Sequence, residues 1–381
     1  MKDENTSNTS IDKLAIDVST LVMPSISLDV SDSIMNTYVT LRAAETVQNQ
    51  YDAILVNAKD KEGWFHYVHS RVEPADELRL NFLNDIVVSG HCYVSKESQL
   101  ITSRSPTGQT TVRFVEQEKQ SLSEFLGTKR LIQCDKPALP IAGPGHLIWG
   151  HWLIDFLPRL GVAQSILGRS LKKFIIPIPS DTPNWVFELV NFFCGIGKDR
   201  FLLFDRGTEA VFCREGAIPS FVHSEGLHSF ILEFYRPYVR DSPIGYPKKI
   251  CVSRKAMGPT QSVRRIFAQQ DYFENVARVH GFSIVYPESL SFRQQVDLFS
   301  GADIVAGEYG SGLHSTIFSN PGAIIGQFCM PNSYQSRIAA CCGHRSVFLF
   351  PDQEATDEVG IRHYEVAENQ IDNFFDAMDR I

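Results

Sequence analysis

No stretch of the 381 residues approaches the ~18 consecutive apolar residues that a membrane-spanning helix needs. The amino end, MKDENTSNTSIDKLAIDVST, lacks a positive segment followed by an apolar run, so no signal peptide is expected. The Asn-Thr-Ser triplets at Asn5 and Asn8 are then read as idle glycosylation matches. There is no excess of positive charge either. Lys and Arg number 36 against 44 Asp and Glu, a net charge of −8, so the surface as a whole does not suit nucleic acid, though a local basic pocket stays open. The eight cysteines form no Cys-x-x-Cys pair, which favours reduced core thiols in a cytoplasmic protein over a zinc site or disulfide framework. Asp-x-Asp is absent, and with it a carboxylate pair of the kind that often holds a metal–nucleotide complex. Gly-x-Ser-x-Gly and His-Glu-x-x-His are also missing, which counts against hydrolase and zinc-enzyme chemistry.

The composition, 43% hydrophobic with 26 Phe, supplies a large core, and the length suggests two domains. Residues 1–35 read as a mobile tail. Residues 36–243 read as a first α/β domain, with strands and loops of unassigned topology up to about residue 141. From His151 to Leu167 apolar residues recur at helical spacing, with a kink expected at Pro158. Pro243, Gly245 and Pro247 punctuate a hinge. Beyond it, apolar strands at 249–253, 282–286, 303–306 and 323–328 alternate with helices, one opened by a Ser291/Gln294 capping box. That alternation describes a parallel, doubly wound sheet over 244–352. Residues 353–381 end in an amphipathic helix, expected to pack back on the first domain.

In an open parallel sheet, ligands bind beyond the carboxyl ends of the strands. Arg254 follows the first of these strands, and Arg264 and Arg265 lie ten residues on. Clustered guanidiniums suit a diphosphate, although a solvated basic loop would read the same way. Gly307-Glu308-Tyr309-Gly310-Ser311-Gly312 joins a strand to a helix, so the backbone amides of Gly310, Ser311 and Gly312 can approach an anion. The loop is neither a Walker A motif nor a full G-x-G-x-x-G, which disfavours a Rossmann dehydrogenase. Glu288, after another strand, is a candidate for a ribose hydroxyl or a plain surface carboxylate. His151 and Asp155, four residues apart, share a helix face where a carboxylate and an imidazole can take a hydroxyl proton. His146 and His223 are further candidates. No metal ligand set is visible.

The string Gly150-His151-Trp152-Leu153-Ile154-Asp155-Phe156-Leu157-Pro158-Arg159-Leu160 resembles the signature of glycosyltransferase family 61. Val252-Ser253-Arg254, Arg264-Arg265-Ile266, the run from Gly281 to Ile325 and Gly343-His344-Arg345 are similar to that family's C-terminal region. The resemblance implies a GT-B-like α/β architecture of two Rossmann-like domains facing across a cleft. It implies inverting, metal-independent transfer of a sugar, from a nucleotide-sugar donor (a UDP-sugar foremost) to a glycan or lipid-linked glycan acceptor. Under it, Asp155 is the base and His151 its partner. Arg254, Arg265, Gly310, Ser311, Gly312 and Glu288 face the donor, and His146, Trp152, His223, Glu308 and Tyr309 line the acceptor side or cleft. Bacterial relatives suggest surface or capsular polysaccharide synthesis in the cytoplasm, with peripheral association at the inner face of the membrane left open. One departure stands out. The family loop reads His-Gly-Ala-Gly-Leu, and here it is Tyr309-Gly310-Ser311-Gly312-Leu313, preceded by Glu308. A catalytically silent nucleotide- or glycan-binding scaffold is the alternative that this departure motivates.

Overall fold

The computed structural model describes residues 15–17, 37–48, 53–60, 72–96, 99–102, 127–241, 243–255, 265–328 and 333–381. Most of the expected tail, and Arg264, lie outside these. Within the tail, however, Ala15–Asp17 forms a strand paired with Gln99–Thr102, so this piece is tied into a sheet by backbone hydrogen bonds. No helix among the described residues is long and apolar enough to cross a membrane.

The chain is an α/β protein of two compact units. Residues 1–46 and 74–231 form one, and residues 47–73 and 232–381 the other. The division falls at 231/232, ahead of the proline–glycine hinge, and the second unit takes in an early segment that sequence order alone assigns to the first.

The first unit departs from the expected Rossmann-like pattern. Its main sheet is mixed, and the long strand Leu78–Ser89 pairs antiparallel with Glu209–Pro219. Gly90 and Cys92 carry φ of 53° and 64° in the turn that follows Leu78–Ser89, and Tyr93–Lys96 returns antiparallel along it. A left-handed turn of this kind makes a hairpin, not a helical crossover. The expected strand–helix–strand does occur, in miniature. Ile176–Pro179 and Phe201–Phe204 run parallel, linked by the helix Asn184–Cys194, which Gly195 ends at φ 66°.

The second unit follows the sequence pattern closely. Ser283–Val285, Lys249–Val252, Ile304–Glu308, Ile324–Phe328, Arg345–Leu349 and Ala53–Val56 lie in that order, all parallel. The Ser291/Gln294 capping box is formed, opening the helix Phe292–Gly301. The last helix, Glu368–Arg380, lies on this sheet. Ile371, Phe374, Phe375 and Met378 are fully buried there, with Phe375 against Phe273 at a centroid distance of 4.9 Å. Gly326 makes that docking possible, since a Cβ at this position would come within 2.3 Å of Met378 Sδ.

Candidate functional site

In the first unit the candidate residues sit on an interrupted helix. Trp149–His151 is α-helical, Trp152–Phe156 widens into a π turn, and Leu157–Leu167 resumes the α form. Pro158 lies in the first turn of the resumed helix and has no N–H to give. Leu157 N–H reaches back five residues to the Trp152 carbonyl instead.

His151 Nδ1 lies 2.6 Å from one oxygen of Asp155, and His223 Nδ1 lies 3.1 Å from the other. Asp155 is fully buried. Burial pushes its carboxyl up, but the hydrogen bonds and charge of His151 and His223 outweigh burial and hold it well below the usual carboxylate range. Arg159 is also buried, with Nε donating to the Pro219 carbonyl at 3.0 Å and Nη1 to that of Ile141 at 2.6 Å. Burial lowers its guanidinium to about 9, against the pull of Asp155.

This corrects the expectation that Asp155 itself meets an acceptor. A buried carboxylate with both oxygens bonded to imidazoles is a weak base with no open face. His151 is the member of the group that reaches solvent, its side chain 26% exposed. Its Nδ1 is committed to Asp155 as donor, so Nε2 is the basic atom of the ring. Gly145 backs the imidazole with φ 95°, and a Cβ there would stand 2.4 Å from His151 Cδ2.

His146, Trp152 and His223, expected to line the acceptor side, are packed inside. His146 and Trp152 are fully buried, and the indole N–H donates to the His146 carbonyl at 2.7 Å. His146 Nε2 lies 3.4 Å from Asp181, which also accepts from Arg206 Nε at 2.8 Å. Arg206 in turn donates to His91 Nε2 at 2.9 Å. Burial lowers His91 to about 4 and lowers His146 as well. Sequence reasoning missed this polar network, and Gly145 beside it, because its members come from separated segments. It also missed the indoles of Trp149 and Trp185, whose centroids lie 5.6 Å apart next to the exposed side chains of Leu147 and Ile148.

The second unit brings its expected residues together. Arg254 follows its strand, and Arg265 opens another, Arg265–Phe267. Arg254 Nη1 donates to Glu308 Oε1 at 3.1 Å, and Arg265 Nε lies 3.7 Å from the same oxygen. The Arg265 guanidinium stacks over the Tyr309 ring at 4.5 Å. At Gly310 a Cβ would meet Arg265 Nη2 at 3.1 Å and Arg254 Nη1 at 3.5 Å, so the arginines close on bare backbone. Arg265 Nη1 is buried without a hydrogen-bond partner. Ser311–Phe318 forms a 3₁₀ helix, whose first amides belong to Ser311 and Gly312. Burial lowers Arg265, with Arg254 adding to the effect. Burial also raises Glu308, against the pull of both arginines. Glu288 stands apart in character, exposed on the turn Pro287–Ser289 after the edge strand. Among the described residues, no three His, Cys, Asp or Glu side chains gather as a metal site.

Residues 149–326 match the family model Glycosyltransferase 61. The matched span takes in both the His151–Asp155–His223 group and the Arg254–Arg265–Glu308 group. Among curated proteins, none matches the chain.

Proposed function

We propose, for a glycosyltransferase whose residues 149–326 belong to family 61, that the reaction is an inverting sugar transfer from a nucleoside diphosphate sugar to a glycan hydroxyl. The carrying observation is the arginine pair closing on Gly310, with the buried Arg265 Nη1 left without a partner. A buried cationic donor lacking an acceptor is costly, and a phosphate oxygen satisfies it. Arg254, Arg265 and the amides of Ser311 and Gly312 are the groups to hold the diphosphate. Negative charge grows on the diphosphate in the transition state, so fixed cations lower the barrier more than they aid ground-state binding.

His151 is the base of this reading. The bond from the anomeric carbon to the phosphate oxygen breaks, and its electron pair leaves with the diphosphate. The acceptor oxygen forms the new bond, and its proton passes to His151 Nε2. Asp155, held by His223, fixes the tautomer and stabilises the imidazolium. The two guanidiniums provide the positive charge that a metal ion would otherwise bring. A UDP-sugar donor, a surface or capsular glycan acceptor and a cytoplasmic setting complete the reading.

His151→Ala should lower transfer by about 10²–10⁴-fold while nucleotide binding, read by calorimetry, is kept. Arg265→Ala should weaken nucleotide binding instead. Transfer by His151→Ala at the wild-type rate would remove the base assignment. Release of nucleotide from the donor without acceptor separates this reading from a silent scaffold, which releases none.

A further inference from the structure

Glu308 has no role in the scheme above, yet it sits where the donor's charge must go. Its side chain is 6% exposed, and one of its oxygens faces both Arg254 and Arg265. The other titratable groups of this cluster are Tyr309 and Tyr364, which act on Arg265, Arg362, which faces both tyrosines, and Glu354, which lies 3.5 Å from Arg362 and also acts on Tyr364. The two guanidiniums and the one carboxylate between them sum to +1, and the Arg362–Glu354 ion pair adds nothing to that. Arg265 and Arg254 would repel each other without the carboxylate between them. A diphosphate brings two or three negative charges to the same two cations. Two anions on one guanidinium pair repel, and the weaker acid of the two cannot stay ionised in a buried place.

We propose that Glu308 is the resident counter-anion of the arginine pair, holding Arg254 and Arg265 together before the donor arrives and yielding them to the diphosphate as it takes up one proton from solvent. The proposal rests on the donor reading given above. Protonated, Glu308 can remain in place as a neutral hydrogen-bonding group, so no movement of the chain is needed. The burial that already raises its carboxyl favours that end state.

The test is calorimetric titration of UDP-glucose, and separately of UDP-N-acetylglucosamine, whose doubly esterified diphosphates exchange no proton of their own in this range, into the full chain between pH 7.5 and 9, each in two buffers of different ionisation enthalpy. The wild type should take up close to one proton per nucleotide bound and lose affinity by up to tenfold per pH unit. Glu308→Gln should bind at least tenfold more tightly at pH 9, with a flat pH profile and no proton uptake. Weaker or unchanged binding by Glu308→Gln makes the carboxylate a fixed positioning group and overturns the proposal while leaving the donor reading intact. Absence of proton uptake by the wild type overturns it too, and needs no variant. If neither protein binds either UDP-sugar, the donor reading fails and this one goes with it.

Discussion

Asp155 and Gly145 both act on His151, one by charge and one by having no side chain. At Gly145 two penalties coincide, because φ 95° strains any L side chain and an added Cβ collides with the ring. Gly145→Ala should cost about 1–3 kcal/mol of stability. It should also lower transfer by far more than a melting curve accounts for, because the imidazole must turn. Asp155 makes a prediction about pH. Its folded carboxyl lies below the ordinary value, so the folded chain binds fewer protons there than the unfolded chain does. The stabilisation is complete above about pH 4 and drains away as the pH falls below it. The gap in thermal stability between wild type and Asp155→Asn should therefore be steady from pH 5 to 7 and close in more acidic buffer. His91 has the opposite chemistry and the same direction. Folding favours its neutral form, so its contribution is present above about 6.5 and is lost as the pH falls toward 4.

Elements carry the next set of effects. The π turn Trp152–Phe156 exists beside a proline that cannot complete an α ladder. Pro158→Ala restores an N–H and permits a regular α-helix, which would rotate Asp155 relative to His151. Transfer should fall while stability holds or rises, as activity assays paired with denaturant unfolding would show. The helix Glu368–Arg380 depends in turn on a bare position in the strand beneath it. Gly326→Ala should destabilise by about 1–3 kcal/mol through overpacking, and trimming Met378 to Ala in the same chain should recover part of that loss. A double-mutant cycle measures the coupling.

At the scale of the whole molecule, the second unit was largely readable from the sequence. Its strands are short apolar runs punctuated by glycine, and the capping box at Ser291 marks a helix start by local chemistry alone. The convergence of Arg254, Arg265 and Gly310 followed from the rule that ligands gather at strand carboxyl ends. The first unit was not readable in the same way. Antiparallel pairing of Leu78–Ser89 with Glu209–Pro219 joins segments more than a hundred positions apart, and nothing local encodes it. The surroundings of Asp155 and His151 were hidden for a related reason. Their four-residue spacing was visible, but the burial of Asp155 and its second imidazole, His223, come from tertiary packing.

The strand Ala53–Val56 pairs with Arg345–Leu349, although the chain returns to the first unit for residues 74–231 in between. The polypeptide therefore cannot be severed at 231/232 into two self-sufficient halves. Residues 232–381 expressed alone would present the naked margin of Arg345–Leu349, a template for self-association. Such a fragment should precipitate, and co-expression with a peptide spanning 47–73 should restore a soluble product, a comparison that gel filtration can read directly.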